Sequence, residues 1–200
     1  MKKIALIVSC GLLSAAASLP AMAKDVTVRY NQIDTDYEYK DSDTKNDVAF
    51  SGPTVRLTGD LPAYNLKGSY AELGYLKESD TPYNAKMLNL GAGLTRNFYH
   101  NNNFYVDGSL GLSASKYDAD GMDDSIYYVG VPIKAQMGFQ QNAFRVFVEA
   151  GYRQDWAVNQ DTKDEAQRLQ PSTLGGIELG AGVRYNFDYG WWTPASKGGR

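Results

Sequence analysis

The chain has 200 residues, 22% of them charged and 43% hydrophobic, with 20 glycines, 15 tyrosines, one histidine and one cysteine, which bounds it to one domain or two small ones. A balance of 20 basic against 23 acidic side chains, net −3, excludes a broadly basic nucleic-acid-binding face. A mean hydropathy of −0.43, with the one long apolar run at the extreme N-terminus, excludes a helical membrane protein.

Residues 1–23 read as a secretory signal peptide: Lys2 and Lys3 form the charged start, Ile4 to Ala17 the apolar stretch, and Ala21-Met22-Ala23 a small-x-small cleavage site. The stretch is short for a retained anchor, and Ser9-Cys10 is not a lipoprotein site because the apolar run continues past it. Cleavage after Ala23 removes two of the 20 basic residues, so 18 remain against 23 acids, and it removes Cys10. An exported chain without cysteine has no disulfide framework, no thiolate nucleophile and no thiol metal ligand.

From Asp25 onward helical periodicity is nearly absent, and period-2 alternation recurs between clusters of Asn, Asp, Gly, Ser and Pro. The pattern predicts eight strands, near residues 25–39, 47–60, 65–77, 84–99, 104–117, 125–139, 144–156 and 173–187. At ~3.3 Å per residue and a tilt near ~45°, each is long enough to cross a hydrocarbon layer.

The two faces of the strands differ in kind. In the fourth strand Leu88, Leu90, Ala92 and Leu94 oppose Asn89, Gly91, Gly93, Thr95 and Asn97. In the sixth, Tyr127, Val129, Val131, Ile133 and Ala135 oppose Tyr128, Gly130, Lys134 and Gln136; in the last, Ile177, Leu179, Ala181 and Val183 oppose Glu178, Gly180, Gly182 and Arg184. In the seventh, Phe147 is the one apolar residue on a face otherwise carrying Arg145, Glu149, Gly151 and Arg153. A soluble barrel of the lipocalin kind would turn the apolar face inward and leave a glycine-rich outer wall that packs poorly. A membrane barrel explains both faces, since the apolar one meets lipid and the polar, glycine-rich one fills a narrow interior.

Connection lengths agree with this. Around Leu61–Tyr64, His100–Asn103 and Gln140–Ala143 the links are short, as periplasmic turns are, whereas 40–46, 78–83, 118–124 and 157–172 are longer and charged, as extracellular loops are. Phe98, Phe104, Phe139, Phe144, Tyr185 and Phe187 fall near the periplasmic ends, and Tyr75, Tyr83, Tyr127, Tyr152 and Trp156 near the outer ends. Rings suit the headgroup level, so the interfaces are expected to hold much of the tyrosine excess. Pro53 and Pro132 lie inside predicted strands of a barrel that has no edge, so β-bulges are expected there.

Over residues 24–187 the sequence resembles the small outer-membrane β-barrels of the OmpX and OmpA-transmembrane-domain type. Its most specific element is Gly182-Val-Arg-Tyr185-Asn-Phe187, which looks like the terminal strand signal read by the outer-membrane assembly machinery, with Gly182, Tyr185 and Phe187 at the matching spacing. That signal ordinarily ends the chain, whereas here residues 188–200 follow, including Trp191-Trp192, and are expected to form a short periplasmic tail. The resemblance implies an eight-stranded antiparallel up-and-down barrel in the outer membrane, with lipid and lipopolysaccharide as surroundings and the assembly machinery as partner.

Catalysis has little to stand on. Small barrels that are enzymes, such as a lipid A palmitoyltransferase, a lipid A deacylase and the omptin proteases, need a histidine near the outer rim, and His100 is expected in a turn at the opposite end. No catalytic residue and no cofactor are therefore assigned. Arg29, Arg56, Glu72, Asp107, Arg145, Glu149, Arg153, Glu178 and Arg184 are expected to face inward. Buried charges must pair, so this set reads as an ion-pair network that fills the lumen. The alternative is a porin-like lining for small solutes or amphipathic molecules.

Asp118, Asp120, Asp123 and Asp124 start like a calcium loop but lack its closing glutamate, which leaves an ordinary acidic loop as the main reading. Loop acidity disfavours sulfated polysaccharide as a ligand, leaving other extracellular ligands open. The reading is thus a non-enzymatic barrel with a structural or surface-interaction role, and the channel is its alternative.

Overall fold

The computed structural model describes residues 23–38, 47–61, 66–78, 84–101, 103–120, 125–158 and 173–187. The signal peptide, the tail 188–200, Tyr83, Asp123 and Asp124 lie outside the described residues. The eight strands are β1 (Ala23–Glu38), β2 (Asp47–Leu61), β3 (Leu66–Glu78), β4 (Lys86–Asn101), β5 (Phe104–Asp118), β6 (Ile126–Gln141), β7 (Phe144–Ala157) and β8 (Thr173–Asn186). Each begins and ends within two residues of the sequence expectation, because period-2 alternation runs the whole length of every strand.

The strands form a closed antiparallel barrel in meander order, with β1 paired to β8 continuously from Asp25–Asn186 to Glu38–Thr173. Closure is complete, so no strand edge is left unpaired. The links after β2, β4 and β6 make one end of the barrel, here the turn end; those after β1, β3, β5 and β7 make the loop end. Asn142 holds a left-handed φ of 54° in the β6–β7 turn, a conformation asparagine tolerates better than most side chains.

Register assigns the two faces as the alternation implies. Leu88, Ile133, Val148 and Ile177 are outward and about half exposed, while Asn89, Lys134, Glu149 and Glu178 are buried in the lumen. Phe147 is buried on the inner face among glycines, opposite both Gly138 and Gly182.

Three expectations are corrected. The register runs through both prolines without a shift, so neither Pro53 nor Pro132 sits in a bulge. Pro53 stays opposite Tyr30 and Pro132 opposite Arg153; the ladder lapses only on the other side, between Ser51–Lys77 and Thr54–Gly74 and between Leu110–Ile133 and Ser113–Gly130. An antiparallel residue donates to one neighbour only, so a proline removes one bond from one ladder and no extra residue is needed. The register shifts instead gather at the turn end, at Ala23/Asp25, Gly59/Leu61 and Asn97/Tyr99, the last of which turns both Phe98 and Tyr99 outward.

His100 is not in a turn: it is paired with Tyr105 at the end of β4 and is exposed, because the β4–β5 connection is tighter than expected. Finally, the tyrosines divide between the two faces. Tyr30, Tyr75, Tyr99, Tyr127 and Tyr152 face outward, but Tyr70, Tyr105, Tyr117 and Tyr128 are buried inside. A narrow lumen needs large flat side chains where facing strands carry glycine. Tyr70, Gly93 and Gly111 lie in one row across β3, β4 and β5, and a Cβ on Gly93 would come within 2.8 Å of the Tyr70 ring.

Candidate functional site in the lumen and at the rim

The lumen is filled in layers along the barrel axis. At the loop end Ile33, Phe50, Leu76, Ala85, Met87, Tyr117, Ile126, Tyr128 and Leu174 form an apolar plug, every member at most 3% exposed. Its aromatic members pack edge to face, with ring centroids 6.1 Å apart for Phe50–Tyr117 and for Tyr117–Tyr128. These residues stand on the same inward register as the charges, one or two pleats nearer the loops. The face division drawn from the sequence missed them, though the signal was present: Phe50, Leu76, Met87, Ile126 and Leu174 are apolar residues of the polar face near the loop ends of their strands.

Beneath the plug Arg153, on β7, ties its own strand to β4 and β5. Its Nη2 donates to Asn89 Oδ1 at 3.0 Å, Ser113 Oγ at 3.2 Å and Ser115 Oγ at 3.0 Å, and its Nε lies 2.7 Å from Asp155 Oδ2.

Mid-barrel holds the densest cluster. Glu72 Oε2 is 2.7 Å from Nη2 of both Arg29 and Arg56, and Glu72 Oε1 is 3.4 Å from Lys134 Nζ. Arg29 Nη1 also pairs with Glu149 at 2.8 Å, and Lys134 Nζ with Glu178 at 2.7 Å. Arg56 lies over the Tyr70 ring, 4.2 Å from its centroid.

Toward the turn end Arg184 reaches Asp107 at 3.1 Å, Gln136 Oε1 at 2.8 Å and Thr27 Oγ1 at 3.2 Å, with Asp25 at 3.7 Å. Arg145 lies 3.5 Å from Asp107, and its guanidinium sits 4.6 Å from the Tyr105 ring centroid.

The nine charged residues named from the sequence all lie on the inner face, in three groups: Arg29, Arg56, Glu72, Glu149 and Glu178 pair in the middle, Asp107, Arg145 and Arg184 pair below, and Arg153, above, meets none of the other eight and pairs with Asp155. The structure adds Asp25, Lys134 and Asp155, so that Arg29, Arg56, Lys134, Arg145, Arg153 and Arg184 match Asp25, Glu72, Asp107, Glu149, Asp155 and Glu178 one for one among the described residues. Lys134 stood on the polar face of the sequence pattern, but β6 gave no reason to separate it from a solvated lysine until its neighbours across the lumen were known.

Outside, aromatic rings form two runs at the turn end, Tyr99–Phe104–Phe139 and Phe144–Tyr185–Phe187. Centroid separations are 6.1 Å for Tyr99–Phe104, 5.6 Å for Phe104–Phe139, 5.0 Å for Phe144–Tyr185 and 5.5 Å for Tyr185–Phe187. Tyr185 and Phe187 thus belong to this outer girdle, while Gly182 lies on the inner face against Arg29.

Of the acidic loop, Asp118 and Asp120 are described. Asp118 accepts from Lys116 Nζ at 2.9 Å and from the Ser125 hydroxyl, and Asp120 accepts from Asn84 Nδ2 at 3.0 Å. No group of three or more His, Cys, Asp or Glu side chains is placed to hold a metal ion among the described residues.

No family model matches the sequence, and the search of curated proteins finds no relative. Solved structures do match. Neisserial surface protein A is 14% identical, with a TM-score of 0.52 over 81% of this chain and 97% of its own. The fold is the eight-stranded barrel of small outer-membrane proteins. Ail, the attachment invasion locus protein of Yersinia pestis, is 14% identical over 82% of this chain and 100% of its own, with a TM-score of 0.41.

Proposed function

We propose that the chain is a non-enzymatic integral protein of the bacterial outer membrane, with a structural or surface-interaction role and a lumen that does not conduct. The observation that carries this reading is the inversion of the molecule: the outer wall is apolar between two aromatic zones, while the interior is packed with paired charges beneath an apolar plug. Ile133, Val148 and Ile177 are 57–58% exposed, whereas Arg29, Glu72 and Glu149 are 2–4% exposed. In water this arrangement would leave a broad apolar band uncovered, and in a bilayer the band meets acyl chains.

A filled lumen supports the non-conducting form. Paired charges and the apolar plug leave the described interior without a continuous aqueous lining, unlike a wide porin. The N-terminal segment is then a signal peptide cleaved after Ala23, Gly182, Tyr185 and Phe187 are read by the assembly machinery, and the loops contact ligands outside the cell.

Conductance across a planar bilayer tests this. The folded barrel gives no steady unitary current; a unitary current whose size changes in Arg153→Ala or Glu149→Gln overturns the closed-lumen reading in favour of a narrow channel.

A further inference from the structure

Among the described residues, outward-facing cations are unevenly distributed near the loop ends of the strands. Lys77 is the penultimate residue of β3, Lys86 the first of β4, and Lys116 lies two residues from the end of β5. Lys77 and Lys86 stand directly opposite each other in the β3–β4 ladder, and Lys86 stands opposite Asp118 in the β4–β5 ladder, with Lys116 one outward position below it. All three share the outward register of Tyr75, Leu88 and Leu112. Among the described residues the outward side chains elsewhere near the loop end include Gln32 and Asp34 on β1, Ser51 on β2, Tyr127 on β6 and Trp156 on β7, none of them cationic.

Like charges directly across a ladder destabilise it unless something neutralises them. Asp118 neutralises Lys116 at 2.9 Å. Among the described residues Lys77 and Lys86 have no carboxylate within ion-pair distance, whereas the turn-end Lys24 is paired with Asp60 at 2.7 Å. Asp118 also feels Lys86 through space, and of the other described carboxylates nearby Glu78 accepts from the Ala85 amide at 3.2 Å and Asp120 from Asn84. Lys77, Glu78, Asn84, Ala85, Lys86 and Asp120 line an open pocket at this corner.

Height gives the second part of the argument. Lys77 Nζ stands 5.8 Å from the centroid of the Tyr75 ring, and Tyr127 faces Lys116 across the β5–β6 ladder. The lysines thus rise from the aromatic zone, and below them the wall continues as Leu73, Leu88 and Leu112. Long basic side chains at that level carry their ammonium groups into the headgroup layer while their stems lie on apolar surface.

We propose that Lys77, Lys86 and Lys116 form a patch that binds the phosphates of an outer-leaflet phosphorylated glycolipid of the lipid A type, whose acyl chains lie on the wall beneath. This rests on the membrane-barrel reading above.

The test uses the full-length exported protein, purified folded in detergent, and native mass spectrometry to count retained lipid A and dephosphorylated lipid A offered together. The wild type retains the phosphorylated form preferentially; Lys77→Gln/Lys86→Gln/Lys116→Gln loses about tenfold or more of that retention, and Lys24→Gln/Arg96→Gln, at the turn end, keeps it. Equal retention by the triple variant, an equal loss in the turn-end variant, or displacement of the lipid by an equimolar amount of inorganic phosphate overturns the patch. A heat-modifiability gel run on the same samples shows that each variant is folded. If the wild type neither folds in detergent nor enters vesicles, it is the membrane reading itself that fails.

Discussion

The two ends of the lumen are built on the same inward register and solve the same packing problem differently. From the turn end to mid-barrel the space is filled by guanidinium, ammonium and carboxylate groups whose charges cancel; at the loop end it is filled by Ile33, Phe50, Leu76, Met87, Ile126 and Leu174. The difference shows where solvent exclusion is needed. An ionic layer holds its geometry only if every member keeps its partners, since a buried charge left alone costs several kcal/mol. An apolar layer has no such requirement, and above the charges it excludes the water that would otherwise loosen them. Glu72, with three cations around it, is the keystone of the first region, and Phe50, fully buried against Tyr117, is central to the second.

The contrast can be broken at its strongest point. Glu72→Gln leaves Arg29, Arg56 and Lys134 short of a counter-charge and is expected to cost about 3–5 kcal/mol, read as a lower urea midpoint for unfolding in vesicles. A cost below about 1 kcal/mol would mean that the cluster is well hydrated rather than sealed.

Next comes the plug. Leu174→Ala removes buried apolar volume from the plug and is expected to cost about 2–3 kcal/mol, somewhat less than the ionic change because loop-end side chains can partly collapse into the space. Combined with Glu72→Gln, a loss larger than the sum of the two would show that the plug protects the ionic layer; strict additivity would separate them.

The smallest effect is expected at the rim. Burial pushes the Asp118 carboxyl up, but the hydrogen bonds from Ser125 and Lys116 outweigh it and hold the carboxyl below its usual range. A depressed acid contributes stability above its ordinary pKa and loses it as pH falls through the folded value, so the stem joining β5 to β6 should loosen only in acid. Because the pair is largely solvent-exposed, the contribution is small. Asp118→Asn should lower the urea midpoint at neutral pH only slightly and flatten the acid dependence of amide exchange at Ser125; a wild-type-like acid profile would assign that dependence to another group.

The fold was legible from residue order because a barrel in lipid must alternate at every position of every strand, and Leu88/Asn89, Ile133/Lys134 and Ile177/Glu178 carry that alternation without interruption. The inward side of the nine charged residues follows from the same alternation. Lys134 and Asp25 were not singled out, since an inward lysine or aspartate on one strand looks like any solvated one until other strands bring Glu178 and Arg184 to it; Asp155 was overlooked although Arg153 stands two residues away on the same face of β7. The prolines misled because a sequence shows the missing donor but not which of the two ladders it would have joined.

What the sequence determined by itself was strand number, face and closure, all consequences of a two-residue period and of the need to pair every backbone group. Only the tertiary structure decided depth. Whether an inward side chain falls in the plug, the ionic middle or the turn-end cluster, and whether a rim lysine meets another lysine or an aspartate, depends on register between neighbouring strands and on strand tilt. Neither quantity is carried by any single strand, and that is why the apolar plug and the lysine arc became visible only in the closed barrel.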